Sequence, residues 1–359
     1  MAEYIRGGEK MDFHIFTPRN SGEPDFTAGI HEEKTRYIHR KPDPKGLEQG
    51  VIICENCECK VLINSNPGLG MAKCPACSTS NFIPMLIKDY WLYEPLGGGG
   101  MGCVYHAFHR CDSNLEFAVK VLNREMRNDK FLIDSLVDEA KIGCRFGNHP
   151  HLTKVYEYGI WKEEYYAVYE FIDGIRLDQI IESPVKRTDK QIILWTLQML
   201  SAEQHIFDCG YLFRDLKPQN VIIDRNGNVK MIDYGLAISI EEAINGDKSD
   251  QIVGSPHYIP PERIEGAPES QYSEIYSLGM LLYHLISRTT YYSSEDVRKL
   301  VEKHVSSLRM ADFFSKLPPK TNPEVARILM KMIKRDPSSR YQSYKELGAE
   351  LFREFKNCA

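Results

Sequence analysis

Two groups of residues in this 359-residue chain have the types and spacing to do chemistry. The first begins with Leu96-Gly97-Gly98-Gly99-Gly100-Met101-Gly102-Cys103-Val104, where Gly97, Gly99 and Gly102 are spaced G-x-G-x-x-G. Glycine lets a backbone come close to a polyphosphate, because no Cβ intervenes and unusual φ angles cost little. Taken alone, a flexible glycine-rich turn explains the run equally well. Downstream, Phe117-Ala118-Val119-Lys120 ends an apolar run on an ammonium that can be aimed at phosphates. Arg214-Asp215 with Lys217 and Asn220 then places a base, a cation and a metal-binding amide on one short loop. Asp233-Tyr234-Gly235 adds a second carboxylate, although an isolated Asp-x-Gly is more often a turn. The second group is cysteine. Cys54 and Cys57 form one C-x2-C pair, Cys74 and Cys77 another, with sixteen residues between the pairs. This is zinc-ribbon spacing, and four thiolates can surround Zn2+ tetrahedrally at about 2.3 Å. A disulfide or unpaired core thiols are the alternatives. Cys59 is a spare thiol that could substitute, but the symmetric spacing favours Cys57.

Simple elements must position these residues. Leu96 and Val104 flank the glycine run as a strand–loop–strand, and the residues from Phe131 to Phe146 carry apolar side chains near helical spacing. Glu139 lies in that helix, where it could hold Lys120 by an ion pair; a lone helical Glu is otherwise a surface charge. Val221–Ile223 reads as a strand, Arg225-Asn226-Gly227-Asn228 as a tight turn and Val229–Ile232 as the returning strand, so one hairpin separates Asn220 from Asp233. Short apolar strands bracket the cysteines at Val51–Ile53, Lys60–Ile63 and Phe82-Ile83. A segment this short cannot build a core, so bound metal would supply much of its folding energy.

In this order the motifs resemble the protein-kinase signature set, and the run Leu96 to Ala107 resembles that of the bacterial PknB-type (Hanks-type) serine/threonine protein kinases. The resemblance covers roughly residues 88–356, about three quarters of the chain. It implies an α+β bilobal fold, with a β-rich N-lobe over about 88–172 and a helical C-lobe over about 173–356. A zinc-ribbon-like module at 50–85 precedes it, behind a leader at 1–49 whose Gly, Pro, Asn and charges predict disorder. The implied activity is transfer of the ATP γ-phosphate to Ser/Thr hydroxyls of proteins. By resemblance, the segment from Leu96 through Val104, with Ala118, encloses ATP. Lys120 contacts the α- and β-phosphates and pairs with Glu139, and the backbones of Glu170 and Ile172 bind adenine. Asn220 and Asp233 hold Mg2+ (or Mn2+), Asp215 accepts the substrate proton, and Lys217 stabilises the transferring group. Tyr169 would be the gatekeeper. Gly254 to Glu262 resembles the segment that closes the activation loop, and Glu262 is expected to pair, buried, with Arg340. Lys217 and Ser255 are the choices of Ser/Thr kinases. Arg214 marks the class controlled by activation-loop phosphorylation, with Ser249 the candidate site; a solvated loop serine is the plainer alternative.

Three positions depart from the family pattern. Phe213 stands for the usual His, Tyr234 for Phe with a hydroxyl that needs a partner, and Glu274 for an Asp that caps the catalytic-loop backbone. Because Glu is one methylene longer, it must re-seat to reach. Two rivals remain: a nucleotide-binding pseudokinase scaffold, and an adaptor whose ribbon binds a protein or nucleic-acid partner. The formal charge of −5, and a ribbon without a basic cluster and interleaved aromatics, make nucleic acid the weaker option. Protein substrates are the expected partners, with self-association serving autophosphorylation. The longest apolar stretch, Leu278 to Ile286, is too short to span a bilayer. A cytoplasmic location follows as the expectation, and structural disulfides are rare there, which favours zinc. The remaining cysteines show no metal spacing, and Cys103 alone would meet a thiol reagent near ATP.

Overall fold

The computed structural model describes residues 41–64, 68–98, 102–246, 254–306 and 310–358. Gly99, Gly100, Met101 and Ser249 lie outside the described residues. The chain opens on helix α1 (Pro44–Glu48) and two antiparallel hairpins, β1 (Val51–Ile53) with β2 (Lys60–Leu62) and β3 (Met71–Lys73) with β4 (Ser80–Phe82). Helix α1 lies within the last residues of the expected leader. Asp43 caps the first turn, Pro44 fits a position that needs no N–H donor, and Leu47 is buried in the same cluster as the hairpin residues Ile52 and Val61.

Strand β5 (Met85–Ile87) leads without a break into β6 (Tyr90–Gly98), β7 (Gly102–His109) and β8 (Asp112–Leu122), followed by helix α2 (Lys130–Arg145), β9 (Val155–Trp161) and β10 (Glu164–Glu170). The sheet order is β5-β6-β7-β8-β10-β9, every neighbour antiparallel. Helix α2 is capped by Asp129 and turns Leu136, Glu139, Ala140 and Gly143 inward, a helical stripe that lies on the sheet.

The second lobe is mostly helical: β11 (Gly174–Arg176), α3 (Leu177–Glu182), α4 (Asp189–Asp208), β12 (Tyr211–Leu212), the hairpin β13 (Val221–Asp224)–β14 (Val229–Met231), β15 (Ile238–Ser239) and α5 (Ile240–Asn245). Then come α6 (Pro261–Ile264), α7 (Gln271–Ser287), α8 (Val297–Val305), α9 (Met310–Lys316), α10 (Pro323–Met332) and α11 (Tyr344–Asn357). Helix α4 is buried nearly all round, which suits a central helix, and Thr188 with Gln191 closes its first turn in a capping box. Trp195 on α4 is fully buried, and its indole N–H donates to Gly227 O at 2.9 Å, tying the helix to the β13–β14 turn. One core cluster joins α2 to α4, α7, α10 and α11; a second joins the hairpin module to β6 and β7. This is the two-lobed α+β kinase fold, with a cysteine cluster ahead of it.

Candidate active site

Strand pairing places Val104 opposite Lys120 and Gly102 opposite Leu122, so the start of β7 and the end of β8 form one wall of the cleft between the lobes. A Cβ on Gly102 would sit 2.5 Å from Val121 O, a close approach that excludes other residues. Gly97 and Gly98 end β6, Leu96 is exposed beside them, Cys103 and Val104 are half-buried, and Ala118 packs on the core. Lys120 Nζ lies 2.6 Å from Glu139 Oε2, an ion pair that is largely out of solvent. Burial pulls the Lys120 pKa down, but the charges of Glu139 and Asp233 more than offset it and hold the ammonium above its ordinary value. The hydroxyl of buried Tyr169 donates to the other Glu139 oxygen at 2.9 Å. After Tyr169 comes the segment connecting the lobes, where Glu170 pairs through its carboxylate with Lys230 at 2.8 Å and Ile172 is half-buried.

Several bonds converge on Asp215. Its Oδ2 accepts from Lys217 Nζ and from Asn220 Nδ2, each at 2.7 Å, and its Oδ1 accepts from Ser255 Oγ at 3.1 Å. Asn220 Nδ2 also donates to Asp215 O. The β13–β14 hairpin returns the chain so that Ile232 N–H donates to Asn220 O at 2.9 Å, which sets Asp233 beside Asn220. Arg214 and Asp233 both adopt left-handed backbone conformations (φ +66° and +70°), an unfavourable state for residues with a Cβ that the surrounding bonds must hold.

Those bonds are visible around Arg214. Glu274, at the start of α7, accepts from Arg214 N–H at 2.9 Å through Oε2, so the longer carboxylate does reach the catalytic-loop backbone. Its Oε1 meets Arg263 Nη2 at 3.2 Å; Arg263 donates to Arg214 O at 2.6 Å and to Glu269 at 2.7 Å, and Arg214 reaches Glu269 at 2.9 Å. Two guanidinium groups and two carboxylates thus neutralise one another out of solvent. Arg263 and Glu269 were not singled out from the sequence, because their partners are far away along the chain and no local pattern announces them. Glu262 and Arg340 form a bidentate pair at 2.7 and 2.9 Å, and Arg340 also donates to three backbone carbonyls.

The other two departures are packed. Phe213 is buried with its ring edge-on to Tyr234 at 6.4 Å, and Tyr234 is edge-on to Phe146 at 5.1 Å. The Tyr234 hydroxyl donates to Thr153 O at 2.6 Å. Helix α2 makes room for that ring: a Cβ on Gly143 would come within 2.4 Å of Val155 Cγ2 and 2.8 Å of Tyr234 Cδ2.

The cysteines form a separate centre. Cys54 Sγ and Cys77 Sγ are 3.6 Å apart, Cys57 Sγ and Cys74 Sγ 3.5 Å, and all four sulfurs lie within 4.8 Å of one another. These spacings are far from a disulfide bond and close to the ~3.8 Å sulfur–sulfur edge of a tetrahedron with 2.3 Å metal–sulfur bonds. The two knuckles are alike: Cys54 N–H donates to Cys59 O and Cys74 N–H to Thr79 O, while Glu58 and Ser78 take left-handed conformations. Cys59 itself is exposed. The Thr79 hydroxyl and backbone hold the Cys77 thiol down to about 6. The Cys59 backbone favours a Cys57 thiolate too, yet crowding by Cys77, Cys74 and Cys54 together with burial pushes that thiol up. The four sulfurs at this spacing are compatible with a zinc ion among them.

The chain matches the protein kinase domain family over residues 90–352. It is similar to the serine/threonine-protein kinase PrkC of Bacillus subtilis, 28% identical over 262 residues that make up 73% of this chain and 40% of the relative. It is also similar to the probable serine/threonine-protein kinase SCO3848 of Streptomyces coelicolor (30% over 270 residues, 73% and 39%) and to the serine/threonine-protein kinase PknB of Mycolicibacterium smegmatis (30% over 290 residues, 75% and 44%). The chain spans less than half the length of these curated relatives. No helix among the described residues is long and apolar enough to cross a membrane. With a family match over well more than half its length and the fold to go with it, the chain belongs to the protein kinase family.

Proposed function

We propose that the chain is a serine/threonine protein kinase, acting on protein hydroxyls in the cytoplasm, in which residues 50–85 form a structural zinc ribbon. The observation that carries this reading is the set of bonds on Asp215: an ammonium, an amide and an activation-segment hydroxyl all converge on one carboxylate. Asp215 accepts the proton of the substrate hydroxyl as that oxygen bonds to the γ-phosphorus of ATP and the bond from phosphorus to the β–γ bridging oxygen breaks, releasing ADP. Lys217, held at 2.7 Å from Asp215, meets the negative charge of the transferring group. Lys120, fixed by Glu139, orients the α- and β-phosphates beneath the glycine loop, and the backbones of Glu170 and Ile172 receive adenine. The Ser255–Asp215 bond, which holds an activation-segment hydroxyl on the catalytic carboxylate, supports a Ser/Thr preference. Asn220 and Asp233 suit Mg2+, since an amide oxygen and an exposed carboxylate are hard donors brought side by side by the Ile232–Asn220 bond. When bound, the ion supplies neutralisation of charge on the phosphate oxygens. The cysteine centre suits Zn2+ by its all-sulfur donors and spacing.

The test is transfer of labelled γ-phosphate from ATP to a generic protein by wild type and by Asp215→Asn. Loss of a general base typically costs 10²–10⁴ in rate, so a fall of about that size is expected. Equal rates, or no transfer by wild type, would overturn the reading in favour of a nucleotide-binding scaffold. Phosphopeptide mapping of active enzyme is expected to find phosphate on Ser249.

A further inference from the structure

The cysteine module does not hang free of the kinase lobe. Leu47, Ile52, Val61, Ile63 and Ile83 share one core cluster with Trp91 and Tyr93 of β6 and Phe108 of β7. From that cluster a short chain of side chains runs to the segment joining the lobes. The Tyr93 ring packs on Phe108 at 5.5 Å, and its hydroxyl lies 2.8 Å from His106 Nδ1. The His106 imidazole stacks flat on Phe171, centroids 3.7 Å apart and planes 14° from parallel. Glu94 at 3.4 Å and Glu116 at 3.7 Å frame the same imidazole, which is 9% exposed. Strand alternation puts Val104, His106 and Phe108 on one face of β7. That face thus runs from the glycine loop, past the connecting segment, to the cysteine module.

We infer that His106 is a positioning residue: held by Tyr93 from the ribbon side, it clamps Phe171 and thereby sets the backbone of Glu170 and Ile172, so that an intact ribbon tightens binding of adenine nucleotides. The inference rests on the proposed adenine site. Phe171 lies between the two residues assigned to it, so a displaced ring tilts both flanking peptides. Among the described residues, the contacts of Tyr93, His106 and Phe171 do not reach Lys120, Asn220 or Asp233 on the phosphate side of the cleft. The effect is therefore selective for the base.

The experiment compares binding of ADP and of inorganic tripolyphosphate, each with Mg2+, to the full chain. Aromatic stacking in a buried setting corresponds to a factor of about three to ten in a binding constant. His106→Ala is expected to weaken ADP by about that factor while tripolyphosphate is unchanged, and to raise KM for ATP with kcat kept. His106→Phe, which keeps the stack but loses the Tyr93 bond, is expected to lose less ADP affinity than His106→Ala. Tyr93→Phe, which keeps the ring and loses the hydroxyl, should fall between. Removing zinc from wild type with a chelator is expected to reproduce the selective ADP loss, and to add little in His106→Ala because the link is already cut. Equal losses for both ligands in the folded variants would overturn the inference, as would unaltered ADP binding in His106→Ala or, should that variant not fold, in Tyr93→Phe and chelated wild type together. Failure of wild type to bind ADP at all would instead overturn the kinase reading beneath it.

Discussion

At the scale of single residues, the site depends on buried polar groups bonded to one another, and a buried carboxylate outside it stands apart. Glu203 on α4 is 1% exposed, and neither carboxylate oxygen has a hydrogen-bond partner among the described residues. Burial first, and the charge of Glu274 second, push its pKa well above the ordinary carboxylate value of 4.5. The folded chain then keeps this proton at a pH where the unfolded chain has released it, so stability is full below about pH 4.5 and declines as pH rises toward the raised folded value. Glu203→Gln cannot ionise, and melting curves should show its advantage over wild type growing between pH 5 and pH 8 by up to about 1.4 kcal/mol per unit. A constant difference across that range would refute the assignment. Tyr234→Phe leaves the buried Thr153 carbonyl without its hydroxyl donor, and denaturant titration should register a loss of about 1–2 kcal/mol with phosphate transfer retained.

At the scale of elements, helix α2 is the part on which the cleft depends. It carries Glu139 to Lys120 and, one turn further on, presents Gly143 to Tyr234 and Val155. Gly143→Ala should force the helix outward, because a methyl at 2.4–2.8 Å from two buried side chains has no room. Overpacking of this kind costs about 1–3 kcal/mol. Here the displacement also draws Glu139 from Lys120, so an activity loss of tenfold or more at modest stability cost is the expected signature. The reverse pattern, large destabilisation with normal turnover per folded molecule, would show that the helix yields without moving Glu139. Much of this geometry was legible in the sequence. The strands flanking the glycine run, the Glu139 helix and the Asn220–Asp233 hairpin each follow from short-range periodicity and turn residues, and each occurs. The Arg263–Glu269–Glu274 network was not legible, since its members come from separate turns and helices whose approach no local pattern encodes.

For the whole molecule, the cysteine module and the kinase lobe share a core, so metal removal should be felt beyond the module. Chelation is expected to release about one zinc per chain, unfold residues 51–82 and lower the melting temperature of the kinase lobe as well, since Trp91, Tyr93 and Phe108 lose their cover. Hydrogen exchange would localise the change. Protection kept across β1–β4 after complete zinc loss would contradict a structural metal.

What the sequence determined by itself was the chemistry: which side chains are bases, cations, thiols and metal donors, in an order specific enough to name the family and its two-lobed fold. Residue type and spacing along the chain carry that, because catalytic loops and cysteine knuckles are local structures. What only the tertiary structure decided was how each departure from the family pattern is compensated. Glu274 reaches Arg214 because Arg263 steadies its other oxygen, and Tyr234 is accommodated because Gly143 leaves space and Thr153 offers a carbonyl. It also decided that the cysteine module is built onto the lobe, through a core shared with Trp91, Tyr93 and Phe108. Such contacts depend on the direction in which packed elements present their side chains to one another, and a linear sequence does not state that.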